Sequence, residues 1–265
     1  MTLTRSKLWK AAWLVVFAAL VGCTYNPELG RSQLIFAGEA SMAQAATSTW
    51  TQLKQTQQVS RDPAYTSRLN RVSQKILIAA GQNPSQWEYL VFESDDLNAF
   101  ALPGNRIGFF TGIMDIMAND AQLAAVVGHE VAHVLYRHSA ERYSQNVLAS
   151  VGVIGATVAL GAGCSSNDTA CQDRSATAGQ ALGTGALFGA ILPYSRKHEL
   201  EADVGGLRYM QRAGYDVCEA ITFWERMTRE TAGQPRPAEF ASTHPASQTR
   251  INTLRNEAAR LGRRC

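Results

Sequence analysis

The chain predicts a mainly α-helical, α+β domain with one small β-sheet, and three observations lead there. Apolar residues recur three and four apart over long stretches, most clearly at Tyr65, Leu69, Val72, Ile76 and Leu77, the spacing of the buried face of a helix. Strand-like alternation is confined to residues 87–92 and 97–111, too little for a β-architecture. The length of 265 residues and a hydrophobic content of 46% suffice for one substantial domain with its own core.

Residues 1–22 stand apart from that domain. Arg5, Lys7 and Lys10 precede an apolar run from Ala11 to Val21, which has the length of a secretory core and is short for a bilayer span. It ends in Leu20-Val21-Gly22-Cys23, which resembles a bacterial lipoprotein signal. That likeness implies cleavage before Cys23 and lipidation of its thiol. Thr24, in place of Asp, implies sorting to the outer membrane, facing the periplasm. Removing the three basic residues leaves 22 Lys and Arg against 22 Asp and Glu. The mature chain is thus neutral, and no electrostatic case for nucleic acid exists.

Residues 23–45 read as a tether, and 46–265 as the domain. Residues 43–58 permit a helix with Trp50 and Leu53 as core contacts. Pro63 suits the first turn of the next helix, and Gly81 its end. Residues 87–92 are an aromatic-rich strand, and 97–111 a strand, turn and strand around Pro103-Gly104-Asn105. Asn119-Asp120 can cap a largely buried helix over 121–135. Residues 147–163 and 177–192 are Gly/Ala-rich and apolar. Both are short for a span and poor in Leu and Ile, which favours close-packed helices over a membrane hairpin. Their glycines would also suit a mobile lid. A further helix begins at Tyr194 and stops at Gly214; Ile221, Trp224 and Met227 mark another. After a loop at 233–237 and a turn at 242–247, residues 248–261 close the chain as a basic helix.

With Cys23 assigned to lipid, Cys164, Cys171, Cys218 and Cys265 remain. An even number in an oxidising compartment suggests two disulfides. Three pairings are open; the expected one joins Cys164 to Cys171 and Cys218 to Cys265. No two stand at CxxC spacing, so a zinc site built from them is not expected.

The chemistry centres on His129-Glu130-Val131-Ala132-His133 in the buried helix. Positions i and i+4 share a helix face, so His129 and His133 can offer two imidazole nitrogens to one zinc ion, with Glu130 beside them as a base toward water. Two imidazoles and a carboxylate within an apolar helix would be costly without a metal or other partners. A third protein ligand is still needed. His138 is rotated off the ligand face and reads as structural, and His198 as a surface neighbour of Glu199. A carboxylate on the later helix is the better ligand.

Taken with Ser195-Arg196-x-x-Glu199-x-x-Ala202-Asp203 and Thr243-His244-Pro245, the pentapeptide resembles the M48 family of zinc metallopeptidases, from about Ala64 onward. The likeness is greatest to periplasmic, lipoprotein-like single-domain members that serve outer-membrane protein quality control. It implies a zincin-type helical domain binding one Zn2+, with Glu199 as third ligand. Asp203 lies one turn beyond Glu199 on the same face and can accept the outer N–H of a ligand histidine, here taken to be His129. Glu201 falls on about the opposite face from Glu199. His244 either steadies the oxyanion or occupies the fourth zinc position in a latent state, and Arg250 orients its loop or a carboxylate. Asn98-Ala99-Phe100-Ala101 matches the family's edge strand, where an extended substrate pairs through its backbone, and Asn98 is a candidate oxyanion donor by that analogy. The implied activity is endoproteolysis of misfolded or stalled envelope proteins, by a lipid-anchored enzyme beside the outer-membrane assembly machinery. The rival is a chaperone-like assembly factor with a capped zinc site.

Overall fold

In the computed structural model, which describes residues 23–161, 164, 168–186, 192–232, 244–245 and 247–265, helices dominate and strands are few. In order, the elements are β1 (Cys23–Asn26), β2 (Arg31–Leu34), α1 (Glu39–Thr56), α2 (Pro63–Ala79), a 3-10 turn (Pro84–Gln86), β3 (Glu88–Phe92), β4 (Ala99–Leu102), β5 (Arg106–Phe110), α3 (Thr111–Asp115), α4 (Asp120–Leu135), α5 (His138–Gly161), α6 (Thr169–Ala186), α7 (Leu192–Arg212), α8 (Cys218–Thr231) and α9 (Gln248–Arg260). They divide into two compact units, one of residues 39–138 and 197–265 and one of residues up to 38 and 139–196.

The larger unit holds the sheet, ordered β3-β5-β4, with β3 parallel and β4 antiparallel to β5. β4 is therefore an edge strand. The turn between β4 and β5 places Gly104 and Asn105 at φ 85° and 63°, the left-handed region that glycine and asparagine tolerate. Phe100 of β4 lies across Gly108 of β5, where a Cβ would stand 2.3 Å from the ring; only glycine admits it. Phe100 then joins Trp50 of α1, Phe92 and Phe110 in one aromatic cluster, which fixes the edge strand to the body.

Asp62 caps α2, with Pro63 at its first position, and Arg68 of α2 reaches the carbonyls of Met117 and Asn119 at 3.2 and 2.7 Å. Asn119 Oδ1 accepts from Gln122 N–H at 3.0 Å and caps α4. α4 is inserted between α2 and α8 and is buried continuously from Gln122 to Ala132. A disulfide from Cys218 to Cys265 ties the start of α8 to the C-terminus.

In the smaller unit, β1 and β2 pair antiparallel. Arg31 forks onto Glu141 at 2.7 and 2.9 Å, and Gln33 adds a bond of 2.7 Å, so the buried carboxylate of α5 is fully paired. The stretch read as a tether thus contains a hairpin and, from Glu39, the start of α1. The first Gly/Ala-rich segment lies in α5, which exposes Val147, Leu148, Val151, Ile154 and Val158. The second begins in α6 and runs outside the described residues, as do residues 1–22 and the loop at 233–237. Cys164 and Cys171 are bonded, and Cys23 is exposed at the head of β1. Among the described residues no helix is long and apolar enough to cross a membrane.

Candidate metal centre

The site begins with a close approach of two helices. Gly128 of α4 faces Gly206 of α7: a Cβ on Gly206 would stand 2.9 Å from His129 N and 3.0 Å from Gly128 C, and one on Gly128 3.0 Å from Gly206 O. The obstacles are backbone, which cannot swing aside. This contact brings the face of α4 bearing His129 and His133 within side-chain reach of Glu199 and Asp203.

Four potential ligand atoms then converge. His129 Nε2 lies 3.0 Å from His133 Nε2 and 3.1 Å from His244 Nδ1. Glu199 Oε2 is 3.3 Å from His129 Nε2 and 2.9 Å from His244 Nδ1, and its Oε1 is 3.4 Å from His133 Nε2. All four lie within 4.8 Å of one another. The other nitrogen of His129, Nδ1, donates to Asp203 Oδ1 at 3.0 Å, which leaves its Nε2 lone pair facing the group. Three imidazole nitrogens and a carboxylate in one small volume repel unless a proton or cation sits among them. Tetrahedral ligands at a zinc–nitrogen distance of about 2.0–2.1 Å stand about 3.3 Å apart, close to the spacings here. The donor set fits a zinc ion.

Arg250, from the first turn of α9, supports the far side. Its Nε and Nη2 donate to Asp203 Oδ2 and Oδ1 at 2.7 and 2.6 Å, Nη1 donates to His244 O at 3.1 Å, and Nη1 lies 3.2 Å from Glu199 Oε2. Its guanidinium stacks 3.7 Å over the Trp224 ring, which also meets His129 edge-on. Burial pushes the Asp203 carboxyl up, but Arg250 and the bond from His129 outweigh it and hold it low. Burial likewise pushes Glu199 up, and its electrostatic and hydrogen-bond contacts with the surrounding histidines, His133 first, bring it well below the usual range. Both stay ionised.

Glu130 points from α4 toward β4. Its Oε2 accepts from Ala101 N–H at 3.0 Å. Its Oε1 is buried without a hydrogen bond, with His244 Nε2 3.5 Å away. Burial raises its pKa above the usual carboxylate value, against the opposing pull of His244 and His129. A buried carboxylate with one open oxygen beside a cluster of metal donors is suited to take a proton. Asn98, buried at the head of β4, is held to β5 through its backbone, its carbonyl accepting from Phe110 N–H at 3.0 Å.

The sequence model described as Peptidase family M48 matches residues 63–258, a span containing every one of these groups. The chain belongs to peptidase family M48. It is 36% identical over 195 residues to the mitochondrial metalloendopeptidase OMA1 of Schizosaccharomyces pombe, covering 72% of this chain and 53% of that protein. It is 34% identical over 220 residues to the mitochondrial metalloendopeptidase OMA1 of Saccharomyces cerevisiae, covering 76% and 59%. It is 28% identical over 217 residues to the beta-barrel assembly-enhancing protease of Escherichia coli K12, covering 79% and 42%. The chain spans about half the length of these curated relatives.

One reading of the sequence changes. His198 was expected at the surface, but it is buried and stacks on His138 with centroids 4.3 Å apart. His138 lies outside the four converging donors, as expected of a structural residue; it is buried, and its Nδ1 lies 2.9 Å from His133 Nδ1. The helix crossing at Gly128 and Gly206 and the Trp224 platform were not anticipated. A glycine inside each of two helical patterns was the one available signal.

Alanine at Gly206 should press on the backbone of His129, costing about 1–3 kcal/mol and weakening metal binding by separating α7 from α4. Thermal unfolding and chelator competition on Gly206→Ala would read both; unchanged affinity would refute the coupling. A second expectation concerns protons. In the metal-free protein burial disfavours protonated His129, yet the bonds to Asp203 and Glu199 prevail and raise its pKa to about 9. Metal and proton compete for that ring, so zinc binding near pH 7–8 should release a proton. Apparent affinity should then fall by on the order of tenfold per unit as pH drops below that value. Calorimetry in buffers of different ionisation enthalpy would detect the proton, and pH-independent affinity would contradict the expectation.

Proposed function

We propose that this M48 chain is a zinc-dependent endopeptidase of the bacterial envelope that cleaves misfolded or stalled proteins of the outer-membrane pathway. The observation that carries the reading is the open oxygen of Glu130, buried beside the four converging donor atoms and bonded through its other oxygen to the edge strand. His129, His133 and Glu199 would hold the zinc. When bound, that ion lowers the pKa of water and polarises a carbonyl. Glu130 accepts the proton of the attacking water and returns it to the leaving amine. Asp203 keeps the His129 ring in its ligating tautomer, and Arg250 holds Asp203 in place.

β4 is the proposed substrate rail. Asn98 is bonded toward β5, so alternation turns the N–H groups of Ala99 and Ala101 to the open edge. An extended peptide can pair there regardless of its side chains, which suits unfolded substrates. Its seating competes for Ala101 N–H and so releases Glu130 Oε2 for the reaction. The envelope assignment is supported by the lipoprotein-like stretch ending at Cys23, proposed as the lipid anchor in the outer membrane. It is also supported by the likeness to beta-barrel assembly-enhancing proteases, with the assembly machinery as proposed partner.

The position of His244 favours a latent resting state. Its Nδ1 sits among the donors, 2.9 Å from Glu199 and 3.1 Å from His129, so it would close the zinc site as a fourth ligand. His244→Ala should then raise the initial rate of casein cleavage, about tenfold if nine molecules in ten are capped. A role at the oxyanion predicts the opposite change. The reading as a whole is tested with zinc-loaded, detergent-solubilised full chain and casein. Cleavage that a chelator abolishes and zinc restores is expected. An inert zinc-loaded protein whose His244→Ala variant is also inert would overturn it in favour of the chaperone-like factor.

A further inference from the structure

We propose that His138 and Glu201 form a hydrogen-bond relay behind His133 that fixes the tautomer and angle of that ligand. This rests on the zinc-centre reading above. His133 turns Nε2 toward His129 and Glu199, at 3.0 and 3.4 Å. Its opposite nitrogen, Nδ1, faces His138 Nδ1 at 2.9 Å across nearly perpendicular rings. Two nitrogens at that distance share one proton. If His133 Nε2 is to offer a lone pair to a metal, a neutral ring carries its proton on Nδ1, and that N–H is then the donor. His138 Nδ1 accepts it, so the one proton of a neutral His138 stands on Nε2, which lies 3.2 Å from Glu201 Oε2. The acidic end of the chain therefore selects the tautomer of His138, and through it that of His133.

The surroundings hold the relay in one geometry. His138 and His198 are each 3% exposed, and the His198 ring covers that of His138 at 4.3 Å with an angle of 14°. Lys197, one turn earlier on α7, places its Nζ 3.8 Å from Glu201 Oε1 and so helps to hold that carboxylate in place. His138, His198 and Glu201 also have the composition of a second cation site. Parallel stacked rings, however, direct their in-plane lone pairs side by side and not toward a common point, and both nitrogens of His138 already have partners. α7 thus supports both histidines of α4: His129 directly through Asp203, and His133 through Glu201 and His138. The sequence places these acids at 199, 201 and 203, so a one-turn segment carries a ligand and both supports.

The test uses full-length protein, with the zinc dissociation constant from chelator competition, zinc stoichiometry and the visible spectrum of the Co2+-substituted form. His138→Phe keeps an aromatic ring to stack but has no acceptor; zinc binding 10–100-fold weaker and an altered Co2+ spectrum are expected. His138→Asn supplies an acceptor oxygen near the Nδ1 position and should recover most of that affinity. Glu201→Leu should weaken binding and Glu201→Gln, which keeps an acceptor, much less. Circular dichroism and thermal unfolding identify folded variants. Wild-type affinity and spectrum in folded His138→Phe would overturn the relay. Two zinc equivalents in wild type, one of them lost in His198→Ala, would also overturn it, in favour of a second cation site. Wild type that binds no zinc, or zinc binding unaffected by His129→Ala, would instead sink the zinc-centre reading, a result distinct from failure of the relay alone.

Discussion

Glu130→Gln is expected to reduce kcat for peptide cleavage by about 10²–10⁴-fold while leaving zinc content at one per chain. The two halves of that expectation come from different atoms. Glu130 Oε2 touches Ala101 N–H, a bond that the amide oxygen of glutamine can keep, so the edge strand and α4 stay in register. Oε1 is the buried oxygen without a hydrogen bond, and an amide nitrogen there cannot accept a proton. None of the converging ligand atoms belongs to Glu130, so metal affinity should hold. Since peptide pairing along β4 uses backbone groups, KM should change little, and the loss should appear in kcat and kcat/KM together. His244 Nε2, 3.5 Å from Glu130 Oε1, is the nearest group able to substitute. Glu130→Gln/His244→Ala should therefore remove any remainder. Single-turnover cleavage beside metal analysis decides the matter: retained cleavage would transfer the base to another residue, and lost zinc would make Glu130 structural.

The α4 part of this site was open to reading because helical periodicity and the i, i+4 rule depend on neighbours in the chain. His129, Glu130 and His133, the cap at Asn119 and the strand–turn–strand around Gly104 follow from local rules of this kind, as does the helical α+β character. The places of Glu199, Asp203 and His244 came through the likeness of separated motifs, since no local rule says which of two distant helices will meet. The burial of His198 illustrates what was hidden. Between Lys197 and Glu199 it sits in a charged run, and only the packing of α7 beside His138 turns its ring inward. Trp224 is another case: its spacing with Ile221 and Met227 predicted a core face, and one side of that core is the guanidinium of Arg250. Gly128 and Gly206 were silent for a different reason. Each lowers helix propensity by itself, and the gain appears only when both are placed opposite each other.

Arg250→Met is expected to destabilise the protein by about 3–5 kcal/mol, the range for removing one partner from a buried ion pair, and to weaken metal binding as well. Arg250 is 3% exposed and makes two bonds to Asp203, one to the carbonyl of His244, a close approach to Glu199 and a stack on Trp224. Methionine fills most of the space over Trp224, so the loss should measure charge and hydrogen bonding more than volume. Asp203 would then be a buried carboxylate without its counter-charge. Burial pushes its pKa up, and Arg250 is the strongest of the groups that hold it down. With the guanidinium gone it should take up a proton, become a poorer acceptor for His129 Nδ1 and loosen the ligating tautomer. Arg250→Lys separates these effects: it retains the charge but cannot form the two-pronged contact, so much of the stability should return with less of the metal affinity. Asp203→Asn in the Arg250→Met background should cost less than the two single changes added together, since the isolated charge is then gone. Denaturant titration of wild type, Arg250→Met, Arg250→Lys, Asp203→Asn and the double variant, each with its zinc dissociation constant, tests the argument. Strict additivity would show that Arg250 and Asp203 act independently, and a zinc affinity untouched in Arg250→Met would confine the arginine to holding α9 against the body.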